Sequence, residues 1–274
     1  MKSKMNTTAK SRRKTVALCW RMAGVVTFST MLFATPSAYA QTGKAEQILK
    51  AMSDYMAGQN TISATLNSDI EVITPDLQKI QFDASGQLLL SRPDKLRVSR
   101  TGGYADVELV FDGKTFTIFG KNLNAFAQID APGSTDQLVD RLRNDHFIET
   151  PGADLLLSHS YDELMSEVID AKYVGRGVVD GVECEHLAFR DQDTDWQIWV
   201  EVGPRPVPHK YVITSKAVTG GPQYTLRISD WKADAPANVD SFAFKPPAGA
   251  TKVDLKQLAD IDEVPAGVVL GGRK

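Results

Sequence analysis

Residues 62–72 read ISATLNSDIEV, with apolar or small side chains at the even positions and polar side chains at the odd positions. Alternation with a period of two predicts a long β-strand that has one buried face. Residues 79–90 (KIQFDASGQLLL) continue this alternation, and Gly86 within them predicts a bulge or bend. The two segments together predict neighbouring strands of a sheet that hides one of its sides.

Turn signals at short intervals extend this sheet into an antiparallel meander. Arg92-Pro93-Asp94 and Gly102-Gly103 are typical turn sequences, and Asp112-Gly113 is the strongest hairpin signal in the chain. A second hairpin is predicted at Asp180-Gly181. The further strands that we predict span residues 96–100, 107–111, 115–119, 173–179, 182–190, 196–202, 210–215 and 224–231.

Helical periodicity is confined to segments that precede or interrupt the strands. The segment from Ala45 to Met56 has the spacing of an amphipathic helix, with Thr42 as a candidate N-cap and Gly58 at its end. Shorter helical patterns are predicted over 136–142 and 153–165. Because a sheet with one apolar face must cover that face or curl around something, these helices are its candidate covers.

The first forty residues have the pattern of a secretory signal. They carry seven Lys or Arg and no Asp or Glu, and an apolar run from Met22 to Phe33 precedes the small-residue site Ala38-Tyr39-Ala40. The apolar run is shorter than the roughly 20 residues that a spanning helix needs. We therefore predict export to the periplasm with cleavage after Ala40. Arg12-Arg13 leave the twin-arginine route open beside the general secretory route.

Charge and hydropathy exclude two classes of protein. Without the signal, 24 of the chain's 31 Lys and Arg face 34 Asp and Glu, which gives a formal charge of −10. Such a surface repels phosphate backbones, so we expect no nucleic-acid partner. No later segment is apolar enough to span a bilayer, so we expect no integral membrane protein. We predict a single domain over residues 41–250 and a loosely attached tail over residues 251–274, where the alternation is lost.

Cys184 and His186 are the strongest candidates for chemistry. A Cys-x-His pair supplies either a nucleophile with its base or two metal ligands. Neighbouring residues on one strand face point in parallel, which is a poor arrangement for proton transfer, and no second Cys or close His pair completes a metal site. We therefore interpret both as ordinary strand residues and predict no catalytic residue.

The acidic run Asp191, Asp193 and Asp195 resembles the start of a calcium loop. Such a loop needs a glycine at its sixth position and a carboxylate at its twelfth, and here those positions hold Trp196 and Val202. We predict a solvated hairpin turn instead, and neither a metal nor a cofactor.

Aromatic residues in the predicted strands favour either a packed core or a cavity for an apolar ligand. They are Phe82, Phe111, Phe116, Phe119, Phe126, Trp196, Trp199, Tyr211, Tyr224 and Trp231. From this set, the residues that we take as candidate ligand contacts are Phe82, Phe111, Phe116, Trp196 and Trp199. Arg92, Arg97 and Arg100 lie close together near a strand end, where they form either a solvated rim or contacts to a head group or lid.

Five strings of the sequence carry a resemblance to a known family. They are RPDKLR (92–97), FDGKT (111–115), CEHLAFR (184–190), DWQIW (195–199) and FKPP (244–247). Together they resemble the predicted periplasmic proteins grouped as domain of unknown function 2092, over about residues 45–250. That family has no established activity, but its first half is similar to the periplasmic lipoprotein carriers and the outer-membrane lipoprotein receptors.

The resemblance implies a fold and one site residue. In those carriers an incomplete antiparallel barrel, lidded by helices, holds acyl chains. It therefore implies an α+β, mainly β fold, in which a curved antiparallel sheet forms an incomplete barrel with helices covering its concave face. Their Arg-Pro turn and later Asp-Gly-Lys-Thr match Arg92-Pro93 and residues 112–115. Their arginine contacts the lid, which implies that Arg92 belongs to the ligand-binding residues.

Three functions are consistent with the sequence. The first is a periplasmic binding or carrier protein that holds an acyl chain, a lipid or a lipoprotein in a lidded concave sheet. The second is a non-enzymatic interaction or scaffold protein of the cell envelope, with a filled barrel and a protein partner. The third, which we rank last, is an enzyme that depends on Cys184 and His186.

Overall fold

Twelve strands form one continuous sheet in the computed structural model of the protein. The structure describes residues 38–146, 148, 150–258, 261–265, 268, 270 and 271, with side chains from residue 43 onwards. The signal predicted over residues 1–40 lies outside these residues except for the backbone of its last three. None of the described helices is both long and apolar enough to cross a membrane.

Helices and short 3-10 turns connect the strands. The strands are β1 (Thr61–Ile73), β2 (Lys79–Ser91), β3 (Lys95–Gly102), β4 (Asp106–Phe111), β5 (Thr115–Gly120), β6 (Ala125–Asp130), β7 (Asp170–Val179), β8 (Val182–Arg190), β9 (Thr194–Glu201), β10 (Pro208–Ser215), β11 (Gln223–Ala233) and β12 (Thr251–Lys252). The helices are α1 (Ala38–Ala57), α2 (Thr135–Asn144) and α3 (Ser160–Met165). The 3-10 turns span Ala153–Leu156, Val239–Phe242 and Leu255–Gln257.

The sheet is open, because β12 at one edge and β7 at the other do not pair with each other. The strand order is β12-β6-β5-β4-β3-β2-β1-β11-β10-β9-β8-β7. All neighbours are antiparallel except β12, which runs parallel to β6. The pairing of β1 with β11 joins two meanders that are distant in sequence. This architecture confirms the predicted fold class: a mainly β chain with one large curved sheet that does not close into a barrel.

The concave face of the sheet is apolar and lies under the helices. Even-numbered residues of β1 such as Ile62 and Ala64 are buried in one core cluster with Leu49 and Met52 of α1. α1 lies against β7, β8, β9 and α3. α2 contributes Leu138 and other buried residues to the same cluster. Since residues paired across a ladder share a face, the register places the alternating apolar residues of all the long strands on this side.

Three local predictions differ from the structure. α1 begins at Ala38, so the expected N-cap at Thr42 is wrong: residue 42 lies inside the helix. β6 was given no bounds, although Phe126 was assigned to a strand, because the short segment AFAQID alternates only weakly. Gly86 makes no bulge, since β2 keeps an unbroken register with both β1 and β3. A Cβ at this position would overlap the backbone carbonyl of Ser99, so a close backbone approach explains the glycine.

The segment after β11 covers the convex face of the β4–β6 region. The ring of Phe244 lies 5.7 Å from that of Phe119 and 5.1 Å from that of Phe126, and the latter two belong to β5 and β6. Arg97 of β3 donates a hydrogen bond to the Ser241 carbonyl at 3.0 Å. Both faces of this part of the sheet are therefore covered.

The chain then passes around the β6 edge to the concave face. Thr251–Lys252 pair with β6, and Leu258 is buried in the core cluster. Further on, Ile261 packs against that cluster, and the amide of Gly271 donates to the Ile73 carbonyl at 2.6 Å. The described part of residues 251–271 is thus attached more closely than the sequence predicts, because isolated apolar and polar side chains attach it without any periodic pattern.

We expect Gly86→Ala to lower the free energy of unfolding by about 1–3 kcal/mol, because the added methyl group forces β2 and β3 apart. Gly103→Ala is the matched control: a Cβ there meets no atom within 4 Å, so its effect stays within about 0.5 kcal/mol. Urea unfolding of both variants measures this difference. Equal stability of the two variants would contradict the close approach.

Candidate functional site

The candidate site is the concave face of the sheet. We call the segments that lie on this face, namely α1, the segment from α2 to α3 and the C-terminal segment, the cover. Phe82, Phe111, Phe116 and Trp196, four of the predicted ligand contacts, lie on this face and are buried. Phe111 and Phe116 face each other across β4 and β5. Trp196 lies on the other wing of the sheet, where its ring stacks on Phe189 at 4.0 Å. In this structure these aromatic side chains are core residues.

Phe82 lies at the far end of the concave face, on the part of β2 that pairs with the end of β1. Its ring makes an edge contact with Tyr104 at 5.5 Å. The structure therefore brings Phe111 and Phe116 together but leaves Phe82 and Trp196 apart from them.

Trp199 lies on the convex face and does not share a cavity with the other four. It pairs with His186 of β8 and Lys210 of β10, and its ring stacks on His186 at 4.0 Å. The Lys210 ammonium lies 4.8 Å from the centre of the same ring. Residues 196 and 199 are separated by an odd number of positions, so strand alternation already places them on opposite faces.

Arg92 ties the end of the sheet to the helical cover. One guanidinium nitrogen, Nη2, donates to the Leu156 carbonyl at 2.8 Å and to the Met56 carbonyl at 3.5 Å. Leu156 belongs to the 3-10 turn before α3, and Met56 to the last turn of α1. Burial lowers the pKa of Arg92, and the charge of Asp136 on α2 partly offsets this. The Nε of Arg92 is buried without a hydrogen-bond partner among the described residues.

The other two arginines of the predicted cluster lie on opposite faces. Arg97 is on the convex face, where it pairs with Glu108 of β4 at 2.7 Å. Arg100 is on the concave face, where it pairs with Glu263 of the C-terminal segment at 3.3 Å. Ser68 of β1 also donates to Glu263, at 3.1 Å. Sequence reasoning missed Ser68 and Glu263 as site residues.

Two cavities adjoin the core, and both are small. One of about 30 Å³ lies beside the end of α1 and is lined by Tyr55, Met56, Gln59, Ile62, Arg205, Val207, Trp231 and Ala233. One of about 160 Å³ lies at the β7–β9 end and is lined by Asp170, Lys172, Ala188, Phe189, Arg190, Asp195, Trp196 and Gln197. Sites for drug-sized ligands have volumes of about 300–1,000 Å³. Neither cavity therefore has room for a lipid.

Cys184 and His186 lie on the convex face without contacting each other through a hydrogen bond. Cys184 is fully buried, and burial, followed by the charge of Glu201, raises the pKa of its thiol to about 11. His186 is hydrogen-bonded to Gln197 at 2.9 Å, and burial lowers its pKa. A protonated thiol beside an engaged imidazole is not an activated nucleophile.

The acidic run 191–195 forms the turn between β8 and β9. The amide of Asp191 donates to the Thr194 carbonyl at 2.9 Å, which confirms the predicted hairpin. Asp195 pairs with Arg190 at 3.1 Å and with Lys216 at 3.3 Å. The described residues contain no group of three or more His, Cys, Asp or Glu that could hold a metal ion.

Several solved structures are similar to this chain in outline. An uncharacterized conserved protein from Thermus thermophilus is 12% identical, with a TM-score of 0.46 over 77% of this chain and 99% of that one. The lipoprotein LppX of Mycobacterium tuberculosis is 13% identical, with a TM-score of 0.37 over 72% and 99%. LprF of Mycobacterium bovis is 12% identical, with a TM-score of 0.39 over 73% and 97%. Among curated proteins, no relative matches the sequence.

One family model matches most of the sequence. It describes a predicted periplasmic protein (DUF2092) and matches residues 45–256. This range contains all twelve strands, most of α1 and the residues of the concave face up to the last 3-10 turn. The chain therefore belongs to the DUF2092 family of predicted periplasmic proteins.

Proposed function

We propose that the protein is a periplasmic binding or carrier protein that holds an apolar ligand on the concave face of its sheet. The ligand is an acyl chain, carried either by a lipid or by a lipoprotein. The chain reaches the periplasm by export, with cleavage after Ala40. Binding is non-enzymatic, in keeping with the protonated thiol of Cys184.

This proposal rests on the location of the buried polar atoms that have no hydrogen-bond partner. Six buried side-chain atoms of the described residues have no hydrogen-bond partner, and five of them belong to the cover or to its attachment. These five are Ser53 Oγ of α1, Thr135 Oγ1 of α2, Ser160 Oγ of α3, Arg92 Nε and Glu263 Oε2. The sixth belongs to Asp191, in the β8–β9 turn.

Such atoms make the closed state less favourable. Each unsatisfied buried polar group costs about 1–3 kcal/mol, and this cost is recovered when the cover lifts and the group meets water. The strands of the sheet are joined by continuous hydrogen-bond ladders, whereas the cover leaves buried polar atoms without partners. We therefore expect the protein to open between the sheet and the cover. The concave face and its cover are therefore the part of the fold that separates first.

A hydrocarbon chain is a suitable replacement for the cover. The cover contributes apolar side chains such as Leu49, Met52 and Leu138 to the concave face. An acyl chain supplies the same chemistry, with about 0.8 kcal/mol for each methylene removed from water. Association entropy offsets several kcal/mol of this gain, so chains of a dozen or more carbons are the expected ligands.

A second function is favoured by the edge strand β7. Val174 and Val178 on this strand are 55% and 70% exposed, and β7 is the last strand in the order of the described sheet. An exposed apolar edge recruits a partner by adding a strand. An envelope scaffold protein with a permanently filled concave face would bind a protein in this way and would take up no lipid.

We expect the purified protein to bind a fluorescent long-chain fatty acid saturably, or to carry lipid that has co-purified with it, because either ligand replaces the cover on the concave face. Native mass spectrometry and a fluorescence titration test these two outcomes. Bare protein without probe uptake would contradict the carrier function. Capture of one protein partner without lipid would then favour the scaffold.

We expect Arg92→Ala to weaken the cover, because it removes the hydrogen bonds to the Leu156 and Met56 carbonyls. The free energy of unfolding falls by about 1 kcal/mol, and probe uptake becomes severalfold faster. Arg190→Ala, which removes an exposed ion pair with Asp195, is the matched control and leaves the uptake rate unchanged. Equal uptake rates for the two variants would show that Arg92 does not hold the cover closed.

A further inference from the structure

The C-terminal segment places one carboxylate on the concave face. The side chain of Glu263 is 11% exposed, and its Oε1 lies 3.3 Å from Arg100 Nη1. The same oxygen accepts a hydrogen bond from Ser68 Oγ at 3.1 Å. Arg100 Nη2 also donates to the Ile261 carbonyl. The Arg100 guanidinium therefore attaches residues 261–263 to the sheet through two contacts, one with the Glu263 carboxylate and one with the Ile261 carbonyl.

The residues that receive this carboxylate belong to the sheet itself. Ser68 of β1 is buried and lies between Leu226 and Ala84 of the neighbouring strands. Tyr224 of β11 lies opposite Ile70 of β1, on the same face of the sheet as Ser68. Burial, followed by the charge of Glu263, raises the pKa of Tyr224.

The part of the concave face around Arg100 and Ser68 is formed by small residues. Gly86 is the ladder partner of Arg100 on β2, and Ala84 pairs with Gly102. Ile261 of the C-terminal segment lies over Gly120, with its Cγ2 3.5 Å from where a Cβ would be. The small residues thus leave a space on the sheet that Ile261 and Glu263 fill.

Arg100 and Arg97 both belong to β3, but their ion-pair partners come from different parts of the chain. Arg97 pairs within the sheet, with Glu108 of β4. The ion pair of Arg100 within the described residues comes from a segment outside the sheet. A guanidinium on an apolar face is costly without an anion. The Arg100 side chain is 32% exposed with the segment in place, so when the segment leaves, its guanidinium is accessible to another anion.

We propose that Arg100 and Ser68 form the head-group site for a long-chain carboxylate, and that Glu263 occupies this site in the ligand-free protein. This inference rests on the proposed function, because the acyl chain lies on the same concave face. A carboxylate of the ligand takes the place of the Glu263 carboxylate, and its chain takes the place of Ile261 and the neighbouring cover. The C-terminal segment then competes with the ligand for this site. Because the segment belongs to the same chain, its effective concentration at the site is high.

The experiment compares dodecanoate with dodecan-1-ol, which has the same chain without the charge. Binding is measured by displacement of an uncharged fluorescent probe. Glu263→Gln keeps the shape of the competitor but removes its charge, so dodecanoate binds this variant at least about fivefold more tightly than the wild type. Arg100→Gln removes the cation that binds the head group, so dodecanoate binds about tenfold more weakly.

Two controls separate this effect from a change in folding. Arg97→Gln removes the neighbouring arginine on the convex face and leaves the affinity for dodecanoate unchanged. Dodecan-1-ol lacks the charge, and Arg100→Gln also releases the C-terminal segment, so the alcohol binds Arg100→Gln at least as tightly as Arg97→Gln. Thermal unfolding of each variant verifies that it is folded, and the Glu263→Gln comparison stands if Arg100→Gln fails to fold.

The outcomes distinguish the head-group site from the carrier function. If both ligands bind and the affinity for dodecanoate does not change in Glu263→Gln and Arg100→Gln, the acyl chain is bound but the head-group site is wrong. If neither ligand binds the wild type or Glu263→Gln, the carrier function itself fails and the site with it. If dodecyl phosphate binds more tightly than dodecanoate with the same dependence on Arg100, the assignment of a carboxylate is overturned in favour of a phosphate.

Discussion

The structure depends on the need to bury the concave face of an open sheet. Twelve strands that do not close into a barrel leave one apolar surface, which water would otherwise contact. Three separate segments cover it: α1 over the β7–β9 wing, the helical segment from α2 to α3, and the C-terminal segment near Arg100. The sheet is held by continuous ladders, whereas the cover is held by apolar contacts and a few polar attachments. This difference is the reason why we propose that the cover separates from the sheet.

Alternation along the strands allowed most of the fold to be predicted. The even positions of residues 62–72 do face the core, and Asp112-Gly113 does connect β4 to β5. The pairing of β1 with β11 was beyond the sequence, because no local pattern selects a partner more than 150 residues away. The role of Gly86 was also beyond it, since the Ser99 carbonyl that approaches this glycine belongs to another strand.

The candidate site was predicted in part, and the same alternation explains what was missed. Ser68 and Arg100 are polar residues at core-facing positions of β1 and β3, which is a signal that the sequence does contain. Trp199 has the opposite parity from Trp196 and belongs to the other face. Glu263 lies in a segment without periodicity, so only the folded chain reveals that it meets Arg100.

The most direct test of the central claim is a crystal structure of the protein grown with dodecanoate. The account predicts continuous density for the hydrocarbon chain on the concave face, with its carboxylate near Arg100 and with residues 261–263 displaced from the sheet. A structure in which the concave face remains closed by its own side chains at saturating ligand, or in which the chain lies on the convex face, would contradict it.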